Sequence, residues 1–173
     1  MNAFERLEVK RELLLASVGP TWQRFRVAVN GLVKKYNEIE EGRSKPARIV
    51  DPSTGGSIVI LSDRGLSSDC YHSLSVVVTV SLESHRYVIK VRAEECKTNR
   101  KATHVSEEAF IDTEFVVECD MDTKETWLSH DGKERLTPQE AAESVIFPAL
   151  MHEEYVPANP ALPRDILKYV VID

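Results

Sequence analysis

The stretch SLSVVVTVSLESHRYVIKVR, residues 73–92, decides the fold class of this chain. Its first part alternates Leu or Val with small polar residues, and its last part alternates apolar residues with Lys or Arg. A period of two is typical of strands that bury one face. Pairing Leu82 with His85 brings the apolar residues of both strands onto one side. The stretch therefore predicts an antiparallel hairpin with one dry face and one wet face.

Further strands are predicted from the same alternation or from flanking turn residues. They cover 47–51, 57–61, 111–121 and 125–129, with connections at 52–56, 62–73 and 97–108. In the last of these strands the pattern leaves open whether Trp127 or Leu128 faces the core. The sheet is therefore predicted as an antiparallel meander of about six strands.

Helices are predicted at both ends of this sheet. Apolar residues recur at a helical spacing on either side of Gly19-Pro20, which predicts two N-terminal helices separated at that dipeptide. The second helix begins near Pro20, includes a buried Trp22 and ends near Tyr36, and a linker follows it. The two helices are expected to cover the dry face of the sheet, because their apolar stripes need a partner surface.

The sequence Thr137-Pro138-Gln139-Glu140 is typical of a helix start. Thr137 can cap the helix, Pro138 suits its first position, and Glu140 can close a capping box. Pro148 is expected to end or kink this helix. His152 is interpreted as a partner of the helix dipole at its C-terminal end.

The chain is predicted to form a single α+β domain, residues 1–173. It is divided into a helical part at 1–45, an antiparallel sheet at 46–136, a capped helix at 137–152 and a Pro-rich tail at 153–173. The tail is expected to carry a short terminal element, and the sequence leaves open whether 164–173 is a helix or a strand.

Composition excludes several classes of protein. Net charge is −6, with residues 1–50 at +4 and residues 51–173 at −10, so nucleic-acid binding is disfavoured. Apolar runs are too short to cross a bilayer, and no secretory signal is expected at the charged start. The three cysteines lack the tight spacing of a disulfide framework, so a reducing cytoplasm is the expected location.

Three motifs resemble chemical sites, but each is better explained as ordinary structure. The Gly-rich stretch 51–57 lacks the lysine of a phosphate loop and is interpreted as a hairpin turn. Cys70-x-His72 has no second tight pair of ligands for zinc. Residues 129–131 are Ser, His and Asp. Neighbouring side chains of an extended chain point to opposite faces, so these three are not expected to form a catalytic triad. We therefore predict no catalytic residue, no metal and no cofactor.

The acidic residues of the strand at 111–121 have a structural explanation. They alternate along the wet side of their strand, and the wet side of the 73–92 hairpin presents basic residues. If the two strands are neighbours, these charges form a ladder of ion pairs rather than a calcium or acid–base site. The ladder is predicted between Asp112, Glu114, Glu118 and Asp120 on one strand and Arg86, Lys90 and Arg92 on the other.

Two sets of residues are candidates for binding. Polar side chains expected to point inward could line a pocket between helices and sheet; they are His85, Tyr87, Thr113 and Cys119. An exposed surface could form on the wet face; it comprises Trp127, Val77, Val88, Arg86, Lys90 and Arg92.

The preferred hypothesis is a non-catalytic protein-interaction domain of the adaptor, chaperone or immunity type, with a protein partner or a second copy of itself. The alternative is a small-ligand-binding or minor hydrolase domain with a pocket between helices and sheet. Nucleic-acid binding by residues 1–50 with Lys97, Arg100 and Lys101 is the least favoured, and no membrane partner is expected.

Overall fold

The computed structural model describes residues 2–50, 55–66, 72–99, 104–106 and 109–152. The helices are α1 (Ala3–Glu38), α2 (Glu40–Ser44) and α3 (Pro138–Met151). The strands are β1 (Ala47–Val50), β2 (Ser57–Leu66), β3 (His72–Glu83), β4 (Val88–Asn99), β5 (His104–Ser106), β6 (Ile111–Cys119), β7 (Thr126–His130) and β8 (Glu134–Leu136). Predictions for the tail at 153–173 and for Cys70 with the His72 side chain lie outside the described residues.

The strands form one antiparallel sheet. Seven of them follow the order β1-β2-β3-β4-β6-β7-β8, and β5 pairs with β4 beside this path. Both α1 and α3 pack on one face of the sheet and against each other. The predicted α+β class, the meander and its helix-covered face are therefore confirmed.

The core lies between that face and the two long helices. Alternate residues of the central strands point into it, including Ile60, Val78, Val91 and Phe115, each essentially inaccessible to water. Burial of one such side chain stabilises the fold by about 1.5–3 kcal/mol. From the helices, the core receives chiefly Trp22, Phe25, Val29, Tyr36, Ala141, Ile146 and Leu150.

The predicted break at Gly19-Pro20 is wrong, because α1 continues through it as one helix. Pro20 removes one intrahelical hydrogen bond, a defect that costs about 3 kcal/mol in a helix interior. Burial of Val18 before it and Trp22 after it offsets that cost. Trp22 also donates a 3.0 Å hydrogen bond from Nε1 to the carbonyl of Gly55, two residues before β2.

The predicted hairpin register is wrong by four residues. Leu82 pairs with Ile89 instead of His85, and Val80 pairs with Val91. An even shift keeps every side chain on its predicted face, because strand side chains alternate with a period of two. The cause is a longer connection, in which Tyr87 adopts a left-handed conformation at φ 56°.

The chain between α1 and β1 makes a tight reversal that the sequence predicts only as a linker. The side chain of Asn37 bonds both backbone groups of Ala47, at 2.8 and 2.9 Å. In α2, Gly42 lies so close to α1 that a Cβ atom there would stand 1.9 Å from the carbonyl oxygen of Tyr36. Only glycine fits this approach.

Three predicted boundaries differ from the structure. Strand β2 extends to Leu66, past the expected loop start, with a register shift between Asp63 and Gly65. Gly65 has φ +90°, which a strand residue other than glycine would not adopt. The expected loop at 97–108 contains the end of β4 and all of β5. Finally, Pro148 does not end α3, which continues to Met151, in agreement with the predicted bounds of 137–152.

The outer face of the sheet carries part of the predicted charge ladder, in which Asp112 and Glu114 pair with the three basic residues. Asp120 instead accepts the backbone N–H groups of Asp122 and Thr123, and Glu118 has no ion-pair partner among the described residues. Lys90 lies 3.5 Å from Asp112, and Arg92 lies 3.6 Å from the same carboxylate. Arg86 reaches Glu114 at 3.1 Å and Glu83 at 2.8 Å. The carboxylate of Glu83 and, to a smaller extent, that of Glu114 raise the pKa of Arg86. The pairs that Lys90 and Arg92 form with Asp112 each contribute about 0.2–1 kcal/mol.

Candidate functional site

A groove of about 620 Å³ opens where α1 passes the last strands of the sheet. Its walls are mostly apolar and come from three separate stretches of chain. The lining residues are Gln23, Arg24, Val27 and Ala28 of α1, Thr126 and Trp127 of β7, and Arg135 to Gln139 around the start of α3. Pockets of 300–1,000 Å³ are typical of binding sites in proteins.

Local sequence explains how each wall is held. Ala28 lies on the buried stripe of α1, whereas Val27 lies beside that stripe and is 71% exposed. On β7, Leu128 is fully buried, so its neighbour Trp127 points to the outer side. This result answers the question that the sequence leaves open. The third wall begins at Thr137, whose capping box with Glu140 is formed as predicted.

Two arginines line the groove. Arg24 and Arg135 are the charged side chains among its described lining residues, none of which carries a carboxylate, although Asp120 lies close enough to Arg135 for their charges to interact. The Arg135 guanidinium lies 4.0 Å above the Trp127 ring, a cation–π contact that holds both side chains at the rim. The Glu140 carboxylate accepts hydrogen bonds from the backbone N–H and the hydroxyl of Thr137, and these bonds lower the pKa of Glu140.

The four predicted pocket residues do not surround one cavity. His85 is exposed in the β3–β4 connection, and Tyr87 belongs to the same turn, half-buried against the core. Thr113 contacts His130, with 2.9 Å between Oγ1 and Nε2. Cys119 is buried at the far end of β6, 4.0 Å from the carbonyl of Lys10, and burial raises the pKa of its thiol.

The predicted interaction surface is also divided. Arg86, Lys90 and Arg92 are engaged in the ladder. Val88 is buried and pairs with Val116, near the Trp127 end of the outer face. Val77 pairs instead with Glu94, six residues along β4 and therefore about 20 Å away. Of this set, only Trp127 lines the groove.

The residues at 129–131 do not form a triad. Ser129 is buried on the outer side of β7, whereas His130 points to the inner side. Asp131 lies 3.9 Å from Nε2 of His130, the same atom that contacts Thr113. A triad needs the carboxylate on the opposite ring nitrogen, so this arrangement cannot orient a base toward a nucleophile.

A second polar cluster fixes the C-terminal end of α3. His152 stacks on Phe110 with 3.8 Å between ring centres, and its Nε2 lies 3.1 Å from Glu95. Arg64, at the irregularity of β2, donates to the carbonyl of Leu150 in the last turn. A cation at this position complements the helix dipole. The sequence predicts His152 as a partner of the helix dipole, but it carries no signal for the contacts with Glu95 and Phe110 or for the role of Arg64.

Within residues 2–50, 55–66, 72–99, 104–106 and 109–152, no group of three or more His, Cys, Asp or Glu side chains is arranged to hold a metal ion. Among the helices in those ranges, none combines the length and apolar character that spanning a bilayer requires.

No protein-family model matches the chain, and comparisons with curated proteins and with solved structures found no match.

Proposed function

We propose that the protein is a non-catalytic protein-interaction module of the adaptor, chaperone or immunity type, and that the groove beside α1 is its binding site. The observation that carries this proposal is an apolar groove with an exposed Val27 and a half-exposed Trp127. Aromatic side chains and arginines are enriched where binding energy concentrates in protein interfaces.

The chemistry of the groove indicates its partner. Arg24 and Arg135 give it positive charge, and none of its other described lining residues is charged, although the whole chain carries a net charge of −6. The partner is therefore an apolar segment that bears acidic residues. Charge complementarity of this kind mainly sets partner choice and association rate, while the apolar wall supplies affinity.

A displayed library of random short peptides tests this proposal. Selected peptides should combine aromatic or aliphatic residues with Asp or Glu, and their binding should change the fluorescence of Trp127. A Trp127→Phe variant separates this signal from that of the buried Trp22. Arg24→Glu and Arg135→Glu should each weaken binding at least about tenfold.

Arg48→Glu is the matched control, because Arg48 is an exposed arginine on β1, outside the groove. Binding should be unchanged in this variant. Selection of basic peptides, or equal binding to the wild type and to both groove variants, would refute the proposal.

The alternative is a small-ligand site in the same groove. The volume of the groove is large enough for a small molecule, and this is the observation that favours the alternative. An aromatic carboxylate would suit Trp127 and the two arginines. A fragment screen that finds such acids, with no peptide selected, would favour this alternative. Hydrolysis has no support here, since the lining residues include no His, Cys or carboxylate and the Thr137 hydroxyl bonds Glu140.

The proposal includes a cytoplasmic location for the protein. Cys96 and Cys119 are free thiols. Free thiols are common in proteins of reducing compartments, which supports a cytoplasmic location.

A further inference from the structure

The first part of α1 exposes an apolar surface that the described residues leave uncovered. Residues 3–17, here called the arm, form a helix about 22 Å long. Phe4, Leu7 and Leu15 are exposed by 69%, 66% and 58%. Every buried residue of α1 lies at Val18 or beyond.

Most residues of the arm are exposed, and four of them form one row along the helix. Phe4, Glu8, Arg11 and Leu15 are spaced by four, three and four residues, so they follow one another along a single row. All four are exposed, and Leu7 lies next to them. Among the described residues, neither Glu8 nor Arg11 has an ion-pair partner. This row is called the arm face.

The arm face is complementary to itself when reversed. If two arms run antiparallel about a twofold axis between residues 9 and 10, Phe4 meets the partner's Leu15. Glu8 then meets the partner's Arg11, and Arg11 meets the partner's Glu8. A twofold interface repeats each contact, so the apolar Phe4–Leu15 contact and the Glu8–Arg11 ion pair each occur twice.

We infer that the arm face binds the arm of a second copy of this chain, in antiparallel orientation. A parallel pair would direct the partner's helix toward the sheet that begins beside the arm, where Cys119 lies near Lys10. The antiparallel pair places the two domains at opposite ends. An arm-only contact is small, so the dimer should dissociate at about micromolar concentrations.

A membrane surface is a less suitable partner for the arm. Its three acidic residues, Glu5, Glu8 and Glu12, balance its three basic residues, Arg6, Lys10 and Arg11. Helices that bind anionic lipid surfaces carry an excess of Lys and Arg on the polar face. Because the arm is neutral overall and carries charges of both signs, a second copy of the arm complements it better than an anionic lipid surface does.

A charge exchange tests the inference by sedimentation velocity, with protein from about 1 to about 200 μM. The wild type should shift from monomer to dimer over this range. Arg11→Glu and Glu8→Arg each place like charges at both contacts, so each should raise the dimer dissociation constant at least about tenfold. The double variant Glu8→Arg/Arg11→Glu should restore association.

Lys34→Glu is the control, since Lys34 is exposed on α1 outside the arm and should leave association unchanged. Circular dichroism verifies that every variant remains folded. A wild type that stays monomeric, or a double variant that fails to recover, would overturn the inference. A monomer that cosediments with vesicles of equal parts phosphatidylcholine and phosphatidylserine would assign the arm to lipid instead. None of these results depends on the groove, so the two proposals can fail separately.

Discussion

The two halves of α1 carry one continuous apolar stripe but have different surroundings. Residues 18–38 bury this stripe against the sheet and α3, whereas the arm, residues 3–17, presents most of its stripe to solvent. Pattern alone cannot distinguish the two halves, because both have helical spacing. What differs is the sheet, which packs along the buried stripe of residues 18–38 but meets the arm near Cys119, at the end of β6. An amphipathic pattern therefore predicts a face that needs covering, without specifying what covers it.

The largest expected effect comes from the same substitution in each half. Phe25 is fully buried between Trp22 and Phe115, so Phe25→Ala should lower the free energy of unfolding by about 3–5 kcal/mol. Phe4→Ala should change it by less than about 0.5 kcal/mol. Urea denaturation of dilute protein measures both values. Similar losses in the two variants would contradict the division of α1 into a buried half and an exposed arm.

A smaller effect is expected where the two halves join. Pro20 is exposed inside α1, so Pro20→Ala restores a helical hydrogen bond at no cost in packing. After allowance for the more flexible unfolded chain, this substitution should stabilise the protein by about 1–2 kcal/mol. Amide exchange in residues 14–20 should also slow.

Pro138→Ala is the control for that substitution. Pro138 occupies the first turn of α3, where proline is well tolerated, so its replacement should give no gain in stability. A loss of stability in Pro20→Ala would mean that the proline has a packing role.

The smallest effect concerns the start of α3, the helix that packs on the buried half of α1. The pKa of Glu140 is lowered in the folded protein by its bonds to Thr137. The stabilisation is therefore present above the unfolded pKa of about 4.3 and is lost as pH falls through the folded value. The difference in unfolding free energy between the wild type and Glu140→Gln should shrink as pH falls from about 5 to about 3.

Two comparisons isolate that effect. Asp120 also has a lowered pKa, through the N–H groups of Thr123 and Asp122, but it is present in both proteins and cancels. Glu143→Gln is the matched control, because this carboxylate, one turn further along α3, contacts Gln139 and is not part of the capping box. An equal pH response in both variants would show that the capping box is not its source.

The sequence predicts which side of each strand is buried better than it predicts which residues pair. Alternation in 73–92 identifies the inner face correctly, yet Leu82 pairs with Ile89 rather than His85. Any even shift satisfies the same alternation, and the left-handed turn residue Tyr87 selects among these shifts. Likewise, Gly19-Pro20 is a local signal for a helix break. The burial of apolar side chains on both sides of it stabilises the continuous helix by more than the proline destabilises it.

The groove could not be predicted from the sequence for a different reason. Its walls come from residues 23–28, 126–127 and 135–139, and each segment has an ordinary pattern of its own. Only the packing of α1 beside the last strands brings them together. The capping box at Thr137 is the one part of this wall that the sequence predicts, because it depends on neighbouring residues alone.

The close approach of Gly42 to α1 makes a small helix unusually intolerant of sequence change. Any other amino acid would place a carbon atom 1.9 Å from the carbonyl oxygen of Tyr36, and that oxygen belongs to a helix end that cannot easily retreat. In a deep mutational scan of this protein, position 42 should therefore behave like an interior residue, although its immediate neighbours are mostly charged and accept substitution freely.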